Sequence, residues 1–121
     1  MPPYSKARTN NYNPNTYVSI QDRVNNNPEF RKQYFAKLAQ EGWEELEDPT
    51  DIMKLCSNTQ IKYILKCHKR KDQHDFGFRS GGFYQRPGET HKFIYFKGFN
   101  KSIFTLGFDD IENLYVKQPN N

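Results

Sequence analysis

Two periodicities divide this chain. Between Pro28 and Glu41 the apolar side chains Phe30, Tyr34 and Leu38, with Phe35 beside them, recur at the spacing of one helix face. Asn27 suits the N-cap, and Pro28 suits the first helical position, where no N–H is required. Glu29 complements the positive end of the helix dipole. Gly42 marks the stop as a left-handed residue, and Trp43, the single tryptophan, is expected to fold back on the last turn. Such a stripe predicts a core or an interface and carries no chemistry of its own.

Beyond residue 58 the period falls to two. From Gln60 to Cys67, Ile61, Tyr63, Leu65 and Cys67 alternate with Lys62, Ile64 and Lys66, the pattern of a half-buried strand. A second strand is predicted over Phe76–Tyr84, where Gly81 and Gly82 interrupt a run of aromatics. Paired glycines there predict a structural bend that lets one strand serve two faces. Arg86-Pro87-Gly88-Glu89 predicts a turn of type II. His91 to Lys97 and Ser102 to Phe108 predict a hairpin across Gly98-Phe99-Asn100-Lys101, and Leu114-Tyr115-Val116 a short closing segment. Short consecutive strands with a turn every ten residues or so indicate a small antiparallel barrel, because closure removes exposed edges.

The expected fold class is therefore α+β, mainly β, with one N-terminal amphipathic helix and one small, strongly bent antiparallel barrel. Its divisions are an extended Asn/Pro/Tyr arm over 1–27, the helix over 28–41, an acidic linker and turn over 42–58, the barrel over 59–117 and a tail over 118–121. The arm is read as extended because asparagine and proline punctuate structure rather than build it. Its Tyr4, Tyr12 and Tyr17 are candidate anchors on a partner, since tyrosine offers large contact area at low entropic cost.

Composition sharpens this picture. Among 121 residues only 35% are apolar, yet 16% are aromatic, so a few large rings must supply much of the burial. The net charge of +4 permits a polyanionic partner without demanding one. No apolar run approaches the ~18 residues of a membrane span, and Met1-Pro2-Pro3-Tyr4 lacks the apolar core of a secretory leader. Two cysteines, Cys56 and Cys67, are too few for a disulfide framework and favour a reducing compartment.

Signatures of catalysis are missing from the sequence. No phosphate-binding, dinucleotide-binding, nucleophile-elbow or zinc-protease motif occurs. Arg79-Ser80-Gly81-Gly82 superficially resembles a phosphate cradle, but it precedes no helix and so lacks the dipole on which such loops depend. Cys56, Cys67, His68, His74 and His91 show none of the close pairing of structural zinc sites. The acidic run from Glu41 to Asp51 lacks the glycine and terminal glutamate of a calcium loop. No enzyme activity, metal, cofactor or small-molecule substrate is expected. The best functional-looking patch is basic: Lys62, Lys66, Lys69, Arg70 and Lys71, with Arg79 nearby, form a candidate nucleic-acid face for phosphates.

Four blocks carry a resemblance: Ile61-Lys62-Tyr63-Ile64, Phe78-Arg79-Ser80-Gly81-Gly82-Phe83, Ser102-Ile103-Phe104-Thr105-Leu106 and Ile111-Glu112-Asn113-Leu114-Tyr115-Val116. They resemble a small module in proteins of nucleocytoplasmic large DNA viruses of algae and amoebae, with Phe104 standing where that module has Trp. The resemblance covers about the second half of the chain. It implies a Tudor-like (Src-homology-3-like) barrel, a viral origin and no reaction. The expected role is that of a non-enzymatic virion protein, a minor capsid component or similar, made in the host cytoplasm. Its partners would be other capsid proteins reached through the arm. The alternatives are nucleic-acid binding through Lys62–Lys71 and a peptide adaptor with an aromatic groove.

Overall fold

A computed structural model describes residues 19–70 and 75–119. Two helices come first, α1 over Ile20–Asn26 and α2 over Pro28–Gln40. Six strands follow: β1 (Glu44–Leu46), β2 (Gln60–Leu65), β3 (Phe78–Pro87), β4 (Phe93–Lys97), β5 (Ile103–Gly107) and β6 (Ile111–Lys117). All six belong to one antiparallel sheet in the order β1-β6-β2-β3-β4-β5. The architecture is α+β and mostly strand, as the periodicities predict.

The helix expectation holds in its details. The Asn27 side chain accepts hydrogen bonds from the N–H groups of Glu29 and Phe30, both at 3.1 Å. At the other end Gly42 has φ +95°, and its N–H reaches the Ala39 carbonyl while that of Trp43 reaches Leu38. This pair of bonds is a Schellman stop, and it turns Trp43 back toward α2.

Three expectations need correction. First, the extended arm does not run to residue 27, because Ile20–Asn26 is helical. Ser19 caps it by accepting from the Asp22 N–H at 3.1 Å, and Val24 and Asn25 are buried. Second, the acidic linker contains β1, which pairs Glu44, Glu45 and Leu46 with Val116, Tyr115 and Leu114. A 3-10 helix over Pro49–Lys54 then buries Ile52. Third, the sheet does not close into a barrel. Its edges are β1 and β5, and β6, expected as a closing segment, is an interior strand between β1 and β2.

Two apolar faces explain why the sheet stays open. On one, Ile61, Tyr84, Ile94, Leu106 and Leu114 form a core with Ile52. On the other, Ile64 and Phe78 meet Val24 of α1 and the rings of Tyr34 and Phe35 of α2. A closed barrel has a single interior, whereas this sheet needs the helices to cover its second face. Strand β3 supplies both layers, Phe78 to one and Tyr84 to the other. The switch falls where Ile61 pairs with Gly82 but Tyr63 pairs with Arg79, so β3 carries an extra residue. Gly81 sits in that bulge at φ +67°, and a Cβ there would collide with the Ile61 carbonyl; a Cβ on Gly82 would collide with that of Lys97.

Helix α1 does more than cover apolar surface. Strand β4 pairs only with Phe83–Pro87 of β3, leaving the first half of β3 without a strand on that side. There Asn25 accepts from the Phe78 N–H at 2.7 Å and donates to the Phe78 carbonyl at 3.1 Å, while Gln21 accepts from the Ser80 N–H at 2.9 Å. Spaced one helical turn apart, the two amides stand in for a neighbouring strand. Arg31 locks the α1–α2 corner by donating to the Val24 and Asn25 carbonyls, with its guanidinium 3.8 Å from the Phe76 ring centroid.

Candidate functional site

Among the described residues, most of the cations named in the sequence have partners within the fold. Lys62 lies on β2 beneath Trp43, its ammonium 4.9 Å from the ring centroid. Lys66 leaves β2 and donates its backbone N–H to the Asp110 carbonyl; Lys69 Nζ stands 3.8 Å from the Asp110 carboxylate. Arg70 turns inward, donating Nε to the Leu65 carbonyl at 3.0 Å. Arg79 forms a part-buried ion pair with Asp75 at 2.8 Å and also donates to the Phe78 carbonyl. Lys71 lies outside the described residues, as do Tyr4, Tyr12 and Tyr17. Lys69, Arg70 and Arg79 thus tie loops to strand ends.

Lys62 shows the energetic consequence. Burial pushes its ammonium below the ordinary lysine value, and the Glu41 carboxylate opposes the shift. A lowered folded-state pKa means that the unfolded chain holds the proton more firmly. Stability attached to this group therefore rises as pH climbs from neutrality toward the unfolded value near 10.5. Replacing it by the near-isosteric, uncharged Met removes that cost. Lys62→Met is expected to raise the urea midpoint at neutral pH, and the gap to the parent should narrow as pH rises. A lower midpoint at pH 7 would show that the ring contact with Trp43 outweighs desolvation.

Cys67 was expected on the apolar face of β2, but the strand ends at Leu65. The thiol is exposed, on a 3-10 turn over Cys67–Lys69. Among the described residues no three His, Cys, Asp or Glu side chains converge as metal ligands, and none of the described helices has the length and apolarity to cross a membrane.

What the sequence reading missed is the asymmetry of the two sheet edges. Strand β1 is three residues long and presents Glu44 and Glu45, so it is short and charged. Strand β5 is five residues long, and from Ser102 to Phe108 the chain carries no charge and no proline. It pairs with β4 from Phe93↔Gly107 to Lys97↔Ile103, and its other edge has no strand partner among the described residues. Ile103 is 57% exposed and Phe104 44%. An uncharged, β-prone run with a free edge is a template for strand addition. Absence of charge over seven residues was the signal available in the sequence, but only the strand order shows which edge is free.

Aromatics back this edge. Phe104 stacks on Phe96 at 5.5 Å, and Phe96 meets Tyr63 edge-on at 6.1 Å. With Gln21, Arg79 and Gly81 opposite, these rings line a groove of about 220 Å³. At the β4–β5 turn, Phe99 is 63% exposed and leans edge-on against Phe83 at 5.6 Å. The surface can thus offer main-chain hydrogen bonds along an edge and flat rings beside it, a combination suited to binding an extended partner. No protein-family model, curated protein or solved structure matches the chain.

Proposed function

We propose that this chain is a non-enzymatic structural component of a large DNA virus particle, a minor capsid or other virion protein, that joins neighbouring subunits. The observation that carries the structural role is the unguarded β5 edge, with Ile103 and Phe104 exposed along it. Viral origin and Tudor-like kinship rest on the sequence blocks around Arg79-Ser80-Gly81-Gly82-Phe83. On this reading the sheet is an opened relative of the Src-homology-3-like barrel whose β5 edge is completed by a partner. The arm, with Tyr4, Tyr12 and Tyr17, supplies further contacts, and many weak contacts on one chain give avidity. Nucleic-acid binding through Lys62–Lys71 is the lesser proposal, because Lys62, Arg70 and Arg79 already have internal partners.

Ser19 and α1 belong to the folded body, with Val24 in its core, so a truncation that tests the arm must stop before Ser19. Mass spectrometry of purified particles is expected to find the chain. Two variants, one lacking residues 1–18 and one with Ile103→Lys and Thr105→Lys on the edge, should fold as the parent does by circular dichroism. Both should be lost from particles. Absence of the parent chain from particles, or normal incorporation of both variants, overturns the proposal.

A further inference from the structure

We infer that the part of the sheet surface left uncovered by the helices, around Phe83 and the β4–β5 turn, binds single-stranded nucleic acid, at a place distinct from the basic run that the sequence singled out. The register defines the surface. Lys117 pairs with Gln60, Gln60 with Phe83, Phe83 with Lys97 and Lys97 with Ile103. Directly opposed residues share a face, so these five side chains form one transverse row across β6, β2, β3, β4 and β5. From Gln60 to Ile103 the row crosses three strand spacings, about 14 Å. That exceeds the about 3.4 Å step of a stacked strand several-fold.

The β4–β5 turn overhangs this row. Gly98 donates to the Ser102 carbonyl and Lys101 to that of Gly98, closing a tight loop that holds Phe99 out over Phe83. Asn58 and Gln60 stand on the opposite side, and the whole encloses a groove of about 430 Å³. No carboxylate lines it. Lys97 and Lys101 both border it, and neither forms an ion pair among the described residues. Lys117 is set apart, since it borders a neighbouring groove beside Glu41 and Glu44.

Each component has a role toward one class of ligand. The Phe99 ring, 63% exposed, is a stacking platform for a base, and stacking tolerates any sequence. Two unpaired ammonium groups beside it neutralise phosphates. The Gln60 amide can donate and accept at a base edge, and the Asn58 amide, whose Oδ1 accepts from Gln85 Nε2 at 3.2 Å, can donate there. An acidic peptide would use the lysines but leave Phe99 idle. A neutral apolar partner would use the rings but desolvate two ammonium groups without compensation. Only a chain of alternating rings and anions uses every part.

Fluorescence anisotropy of the full chain with a labelled oligothymidylate of about ten nucleotides tests this. With two phosphates neutralised, the log–log salt slope is expected near about −1.4. Phe99→Ala should weaken binding by about tenfold or more, and Phe99→Tyr should retain it. Lys97→Glu with Lys101→Glu should abolish binding, whereas Lys66→Ala with Lys69→Ala should leave it unchanged. Thermal melts check that these substitutions leave the fold intact. No binding at low salt, insensitivity to both Phe99→Ala and the paired glutamates, or equal affinity for polyglutamate overturns the inference.

Discussion

Phe78→Ala is expected to cost about 3–5 kcal/mol and to separate the helices from the sheet. Phe78 is fully buried, and α1, α2 and the strands converge on it. Tyr34 and Phe35 both approach it edge-on with centroids 5.7 Å away, and Val24 closes the cluster from α1. Edge-to-face pairs add about 0.5–1.5 kcal/mol beyond burial, so the loss belongs at the upper end of the range. The cavity cannot refill easily, because the Phe78 backbone is fixed by Asn25 through both its N–H and its carbonyl. Urea unfolding followed by far-ultraviolet circular dichroism measures the effect against a typical total of about 5–15 kcal/mol for a domain. Near-parent stability would mean that the second core contributes little.

The next largest effect is expected at Gly81. An alanine there meets two penalties that do not relax together. At φ +67° an L side chain costs about 1–2 kcal/mol, and the new methyl would collide with the Ile61 carbonyl oxygen. That oxygen belongs to β2, the strand that β3 must pair, so relief requires the two strands to part. Overpacking of this kind adds about 1–3 kcal/mol. Gly81→Ala should therefore destabilise by several kcal/mol, whereas Gly42→Ala, with positive φ but open space around it, should cost only the conformational part. Comparing their urea midpoints separates strain from collision. Equal losses would show that β3 shifts to accept the methyl.

These two residues also show how far local pattern reaches. The helix over Pro28–Gln40 was legible because its cap, proline and stop signals all act within a few residues of one another. The two-residue period likewise announced β2, β4 and β5. Helix α1 was announced too, though more quietly: Ser19 followed three residues later by Asp22 is a capping pattern, masked by the surrounding asparagines. Strand β1 had no such announcement. Glu44 and Glu45 have poor strand propensity, and they are extended only because β6 offers them an edge.

For the candidate site the balance differs. Side-chain chemistry was readable one residue at a time, so the lysines, rings and glycines were visible in advance. Their company was not. Lys62 is drawn under Trp43, Arg79 is bound to Asp75, and Lys97, without an ion pair among the described residues, is placed beside Phe99 by a register that spans five strands.

Short-range interactions follow from the order of residues, and so the amphipathic helix, the strand-forming runs and the glycine bend were present in the chain before it folded. Strand order, the choice of which edge lies open, and the division of the sheet into two apolar faces arise from contacts between residues far apart in sequence. Those contacts exist only once loops have closed and distant side chains compete for the same partner, and no local period encodes the outcome of that competition.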